Sequence, residues 1–98
     1  MLKIKLKNLK EVNDYLRDNK DIFHTTIIKK ITHGWKKKLK VVEVAEFLVK
    51  EHNTLITISI EEDDWSESLH LALYYYERTE EYEKCIKIKK LISDIFGE

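Results

Sequence analysis

A single short segment, residues 55–60, requires that this chain contain a β-sheet. Isoleucine occupies every second position there, with threonine or serine between. This period of two places the isoleucines on one face of a strand and the polar side chains on the other. A lone strand leaves its backbone N–H and C=O groups unpaired, so a second strand is needed. Residues 2–7 alternate leucine or isoleucine with lysine and are the predicted partner.

Helical patterns account for much of the remaining chain. Asn8 is expected to begin the first helix, since its side chain can accept hydrogen bonds from the first turn and Glu11 follows at capping-box spacing. Two further helices are predicted near the C-terminal end, capped by Asp64 and Thr79. The short break between them predicts an antiparallel helical hairpin.

Residues 21–44 leave helix and strand open. Apolar residues recur every four positions from Phe23, which indicates a helix with Gly34 as its C-terminal cap. The same stretch is rich in β-branched residues, which favour strands and a hairpin turn near Gly34. Residues 41–52 place their apolar side chains on one helical face. We interpret both stretches as helices.

The predicted fold is a single α+β domain over residues 1–98, dominated by helices. A small two-stranded sheet of residues 2–7 and 55–61 is covered by helices, and the helical hairpin follows it. A chain of 98 residues has room for one hydrophobic core. A sheet of more strands, built from residues 23–44, is the structural alternative.

The composition excludes several classes of protein. A hydrophobic content of 43% without proline is typical of a folded chain and not of a disordered one. No apolar run approaches the roughly 18 residues that span a bilayer, and no secretory leader is predicted. Cys85 is the only cysteine, which indicates a reducing compartment. We therefore expect a cytoplasmic protein without membrane contact.

No residue pattern predicts catalysis, a metal or a cofactor. Cys85 lies in the middle of a predicted helix, where packing is its expected role. The two glycines are too far apart to form a phosphate-binding loop. The four histidines never have the helical spacing of metal ligands, and the acidic run 61–64 is expected to be a solvated turn. We predict a protein that is not an enzyme.

Charge is distributed unevenly although the formal net charge is zero. Residues 1–40 carry a formal charge of +8 and residues 41–98 a charge of −8. If folding does not interleave the two parts, the molecule presents one basic and one acidic face, suited to electrostatic docking or head-to-tail assembly.

Part of the positive charge lies in a lysine-rich segment within residues 29–40. Lysines neutralise phosphates, and an exposed tryptophan can stack on an unpaired base, so this segment is a candidate nucleic-acid contact. The alternatives are a solvated segment with Trp35 anchored in the core, or docking to an acidic protein. The candidate residues are Lys29, Lys30, Trp35, Lys36, Lys37 and Lys38.

Three consecutive tyrosines, residues 74–76, cannot all be buried in a helix, because successive positions are about 100° apart. Tyr76 continues the predicted buried stripe, so Tyr74 or Tyr75 faces outward. An exposed tyrosine among charges is a common interface anchor. With Glu81 and Tyr82, these tyrosines form the predicted protein-binding face. The alternative is that the outward tyrosine covers a neighbouring element.

The predicted hairpin, about residues 66–96, resembles the UVR motif of nucleotide-excision-repair subunits and related adaptor proteins. The resemblance lies in an acidic-aromatic-acidic run and in apolar spacing, at Leu69, Ala72, Leu73, Glu81, Tyr82, Glu83, Lys84, Cys85, Ile86, Ile88, Lys89, Leu91 and Ile92. In that family the hairpin pairs with a partner's hairpin. The family's Ala-Ala pair is Cys85-Ile86 here, and its Arg-Asp pair is Lys89-Lys90.

Three functional hypotheses follow. The first is a small adaptor or inhibitor that binds another protein through the hairpin, a role that phage-encoded regulators of host machinery also fill. The second is an accessory protein that binds nucleic acid through residues 29–40. The third is a self-assembling structural protein, a homo-oligomer held by the opposed charges or by the hairpin.

Overall fold

A computed structural model describes residues 1–97 as a three-stranded sheet with four α-helices. Short 3₁₀ turns, Lys50–His52 and Glu62–Asp64, lie at either end of the third strand. The elements in chain order are β1 (Leu2–Leu6), α1 (Leu9–Asp18), α2 (Lys20–Lys37), β2 (Val41–Val49), β3 (Thr54–Glu61), α3 (Trp65–Arg78) and α4 (Tyr82–Phe96).

The sheet has the order β1-β2-β3, with β1 parallel and β3 antiparallel to β2. Both predicted strands exist, so the α+β class and the helix-dominated character are confirmed. The predicted two-stranded sheet is wrong, because β2 lies between β1 and β3. In the register, Ile4 lies opposite Phe47, and Phe47 lies opposite Ile56. A parallel β1–β2 pair needs a long crossover, which α1 and α2 supply.

The helix predicted for residues 41–52 is also wrong, and a β-bulge explains the error. The register of β2 shifts between Glu43 and Ala45, so that Val44 and Ala45 are both buried although they are adjacent. Such a bulge interrupts the alternation of a strand. Two neighbouring inward residues then give the apolar spacing that a helix would show.

Helix α2 confirms the helix predicted for the earlier part of residues 21–44, but Gly34 is not its cap. The helix continues to Lys37, and Lys38 follows in the left-handed conformation with φ 58°. Gly34 is buried against the sheet. A Cβ built there would lie 2.5 Å from a methyl carbon of Val42 and 3.2 Å from the Trp65 ring. The glycine therefore permits close packing of α2.

The core lies between one face of the sheet and the helices. Its buried side chains are Ile27, Ile31, Val42, Val44, Ala45, Phe47, Val49, Trp65, Leu69, Ala72, Tyr76, Cys85, Ile88 and Ile92. The predicted packing role of Cys85 agrees with this position. No helix in the described range 1–97 is long and apolar enough to cross a membrane.

The other face of the sheet carries mainly polar side chains. Lys3 lies opposite Glu46 across the β1–β2 pair, so their charges can attract. Thr57 and Ser59 are exposed on β3. Leu48 and the exposed Leu55 lie opposite each other on this same face.

Candidate protein-binding surface

Helices α3 and α4 form a hairpin whose turn is held by its backbone. The Glu81 N–H donates to the Tyr76 carbonyl at 2.9 Å, and Glu80 adopts a positive φ of 59°. The predicted cap is wrong: Glu81, not Thr79, precedes α4. The Thr79 hydroxyl instead donates to the Tyr75 carbonyl at 3.2 Å and to Glu81 Oε2 at 3.2 Å. These bonds fix how α4 leaves α3.

The hairpin exposes four large apolar side chains. Ile86 is 68% exposed, Tyr74 61% and Tyr82 60%, and no other large hydrophobic residue in the described range 1–97 is as exposed as these three. Leu71, one turn before Tyr74 on α3, is also exposed. We call Leu71, Tyr74, Tyr82 and Ile86 the hairpin surface. Ile86 lies one helical turn after Tyr82, so both extend from the same side of α4.

Tyr74 is oriented by a charged neighbour on its own helix. The Arg78 guanidinium carbon lies 5.5 Å from the centre of the Tyr74 ring, within the range of a cation–π contact. Tyrosine and arginine are both enriched in protein interfaces. The pair therefore presents a flat aromatic surface and a charged group at one place on α3.

Tyr75 packs against α2 and does not join this surface. Its ring centre lies 4.9 Å from that of His24 and 5.1 Å from that of Tyr76. The side chain is half-buried. Of the two tyrosines that the sequence left open, Tyr74 faces outward and Tyr75 covers a neighbouring helix.

The Glu81 side chain makes its polar contacts within the hairpin turn. Its carboxylate lies 3.0 Å from the Lys84 ammonium and accepts the Thr79 hydroxyl bond. The side chain is half-buried. These contacts make Glu81 a part of the hairpin's structure, beside Tyr82 in the chain.

A polar network joins the hairpin to the start of α2. The buried Tyr76 hydroxyl donates to Asp21 Oδ1 at 2.8 Å and lies 2.9 Å from the Thr25 hydroxyl. Lys84 lies 3.2 Å from the same Asp21 oxygen, and its ammonium is 4.8 Å from the centre of the Tyr76 ring. The hydrogen bond from Tyr76, and then Lys84, lowers the pKa of Asp21. Burial raises the pKa of Tyr76 to about 12, so the phenol keeps its proton.

This network was not predictable from the sequence. Asp21 and Tyr76 are 55 residues apart, and neither position has a spacing that marks it. Only the predicted burial of Tyr76 gave a signal, since a buried tyrosine hydroxyl usually finds a hydrogen-bond partner. The network fixes the orientation of α3 and α4 relative to α2, and with it the direction of the hairpin surface.

The lysine-rich segment does not form one patch. Lys29 borders a cavity of about 240 Å³ between α2 and α4, which is also lined by Lys84 and Lys87. Lys30 borders a different groove, near Met1. Adjacent helical residues point about 100° apart, which explains the separation. Lys36 and Lys37 are exposed in the last turn of α2, where their positive charges interact favourably with the negative end of the helix dipole.

Trp35 is 37% exposed and is not the core anchor; the buried tryptophan is Trp65. Trp35 borders a groove of about 400 Å³ together with the side chains of Trp65, Phe96, Lys38 and Lys40. Lys38 and Trp35 are thus close enough to contact one ligand.

The acidic run after β3 is a 3₁₀ turn, and one of its members is paired. Glu62 lies 3.4 Å from Lys40. Within residues 1–97 no three histidine, cysteine, aspartate or glutamate side chains come together as a possible metal site.

Comparison with known proteins gives no relative from which a function can be transferred. No protein-family model matches the chain, and neither the curated proteins nor the solved structures include a match.

Proposed function

We propose that this protein is a non-enzymatic, cytoplasmic adaptor or inhibitor that binds another protein through the hairpin surface. The observation that carries the proposal is the exposure of Ile86, Tyr74 and Tyr82, the three most exposed large hydrophobic residues in the described part of the chain. Large apolar side chains left exposed on one helical hairpin, with charged residues around them, are typical of interaction sites.

The hairpin is suited to binding because it is preorganised. The Asp21 network and the hydrogen bonds of the turn hold α3 and α4 before any partner arrives. A rigid surface loses little conformational entropy on binding, so more of the contact energy becomes affinity. The exposed acids Glu77, Glu80 and Glu83 lie near Tyr82 in the chain and favour a partner with basic residues around an apolar groove.

The resemblance to the UVR motif supports a partner that contributes a helical hairpin of its own. In such a complex Tyr82 and Ile86 would pack into the groove between the partner's helices. This mode of recognition relies on apolar anchors one helical turn apart.

The test begins with affinity capture of the tagged protein from lysate of its source cell, with and without nuclease. A captured protein that survives nuclease is then titrated against the variants Tyr82→Ala and Ile86→Ala. We expect each variant to weaken binding by about 30-fold, the effect of losing an interface hot spot of about 2 kcal/mol. The melting temperature should change little, because both side chains are exposed.

The matched controls are Leu9→Ala and Ile22→Ala, which remove exposed apolar side chains from α1 and α2. These variants should bind as the wild type does. Equal weakening by controls and hairpin variants would contradict the proposal, and so would full binding by Tyr82→Ala and Ile86→Ala.

A second candidate function is binding of single-stranded nucleic acid at Trp35. The observation that favours it is the exposed indole beside Lys38 and Lys40 in one groove. Stacking on an aromatic side chain together with phosphate contacts would give affinity that falls steeply with salt. Trp35→Ala should abolish binding of a labelled oligonucleotide. Affinity that is indifferent to salt or to this variant would exclude the candidate.

A further inference from the structure

The third strand ends the sheet and keeps one backbone edge exposed. Within residues 1–97, β3 pairs with β2 and with no other strand. It is eight residues long and contains no lysine, proline or glycine, and its side chains are largely β-branched. Edge strands of monomeric proteins usually carry lysine, proline or a bulge, which prevents pairing with another chain.

The opposite edge of the sheet shows the protection that β3 lacks. Strand β1 has five residues, and Lys3 and Lys5 lie within it. Lysines on an edge strand disfavour pairing, because a second copy would bring like charges together. The two edges of this sheet therefore differ, and only β3 is suited to pairing.

Apolar surface remains exposed along β3. Its inward side chains Ile56, Ile58 and Ile60 are only partly buried, whereas Phe47 and Val49 of the central strand are buried completely. A strand added beside β3 would cover these isoleucines further. Both the backbone and the side chains of β3 would gain contacts from such pairing.

The charges at the two ends of β3 favour one orientation of an added strand. At one end lies the acidic run of residues 61–64, and at the other lie Lys50, Glu51 and His52, whose formal charges sum to zero. An antiparallel second copy of β3 places each acidic end beside the end without net charge, whereas a parallel copy would bring the two acidic ends together. A two-fold pair of this kind is self-complementary, as a symmetric dimer interface must be.

We propose that two copies of this protein associate through antiparallel β3–β3 pairing to form a six-stranded sheet. With the two-fold axis perpendicular to the sheet, the helices of both copies lie on the same face. Residues opposite each other must then point to the same face, which restricts the register to residues of equal parity.

Two central registers meet this condition. In one, Ile58 lies opposite Ile58 of the second copy and Leu55 lies opposite Glu61. In the other, Thr57 lies opposite Thr57 and Thr54 lies opposite Ile60. In both registers the exposed Thr57 and Ser59 come close to Thr57 or Ser59 of the second copy.

The test is the double variant Thr57→Lys/Ser59→Lys, compared with the wild type by sedimentation equilibrium over a range of concentrations. Both registers bring the new lysines face to face, so the dimer should weaken by at least about tenfold. The isolated fold should survive, because Thr57 lies opposite Glu46 and Ser59 opposite Glu43 within the same chain. Circular dichroism and the melting temperature verify that it does.

A matched control, Asn13→Lys/Ser93→Lys, adds the same charge at exposed positions of α1 and α4. Wild type and control should both approach twice the 11.8 kDa chain mass as concentration rises, and the β3 variant should stay near one chain mass. Amide exchange in β3 should also slow with concentration. A wild type that stays monomeric throughout would overturn the proposal, and so would a dimer that is broken by Tyr82→Ala and not by the β3 variant.

Discussion

His24 has a half-buried ring, and its Nδ1 is shielded from solvent without a hydrogen bond. Among the described residues, no partner lies within reach of its Nδ1. The ring packs on Tyr75 and edge-on to Tyr76. Burial, and then the charge of Lys20, lowers the pKa of His24 below its ordinary value of 6.5, and Asp21 opposes this shift.

This position predicts a loss of stability in mild acid. When pH falls below about 6.5, the unfolded chain takes up a proton at His24 before the folded chain does, so the folded state loses stability. Asp21 does not contribute in that window, because its lowered pKa confines its titration to more acidic solution. His24→Phe keeps the ring contacts and should reduce the loss between pH 7.5 and pH 5.5, measured as the urea midpoint.

The control is His33→Phe, an exposed position on the same helix. This variant should show the acid sensitivity of the wild type. Equal acid sensitivity of His24→Phe and the wild type would show that the His24 ring is not its source.

At the scale of elements, the end of helix α2 differs from the prediction, which made Gly34 its C-terminal cap. Gly34 is used for close packing against Val42 and Trp65. The end of the helix is instead formed at Lys38, where the Leu39 N–H donates to the Gly34 carbonyl at 2.8 Å and the Lys38 N–H to the Trp35 carbonyl at 3.2 Å. These two bonds form a Schellman motif, which usually has glycine at the left-handed position.

Two substitutions should therefore have opposite effects. Gly34→Ala places a Cβ against Val42 and should destabilise the protein by about 1–3 kcal/mol, even though alanine favours helices. Lys38→Gly relieves the left-handed strain at φ 58° and should stabilise by about 1 kcal/mol. Chemical denaturation measures both. A stabilising Gly34→Ala would mean that this contact does not limit the packing of α2.

What the sequence predicted correctly was local. Asn8 accepts the Glu11 N–H at 3.1 Å, as its capping position predicted. Tyr76 is buried, as its position on the predicted stripe of α3 indicated. Strand β2 was missed since its bulge depends on pairing with β3, and the partner of Tyr76 was missed because contacts 55 residues apart leave no periodic signal.

At the scale of the whole molecule, folding partly interleaves the basic and acidic parts of the chain. Lys40 pairs with Glu62, and Lys3 lies opposite Glu46. Asp21 and Lys84 also pair across the two parts, but here the acid comes from the basic part of the chain and the lysine from the acidic part. The sequence dipole is therefore reduced where the two parts meet.

Stability should also vary across the molecule. No residue of α1 and none of β1 is fully buried, whereas β2 and α3 supply much of the core. Segments with few buried contacts open locally at low cost. Amide exchange should therefore be faster in β1 and α1 than in β2 and α3. Exchange at one common rate would indicate that the whole domain opens as a single unit.

The parallel pairing of β1 with β2 has a consequence during synthesis. The ribosome makes β1 well before β2, because α1 and α2 lie between them in the chain. While residues 41–49 are still unmade, β1 lacks the strand with which it pairs. The pairing of β1 can therefore form only after synthesis has passed residue 49, and until then its backbone groups have no strand partner.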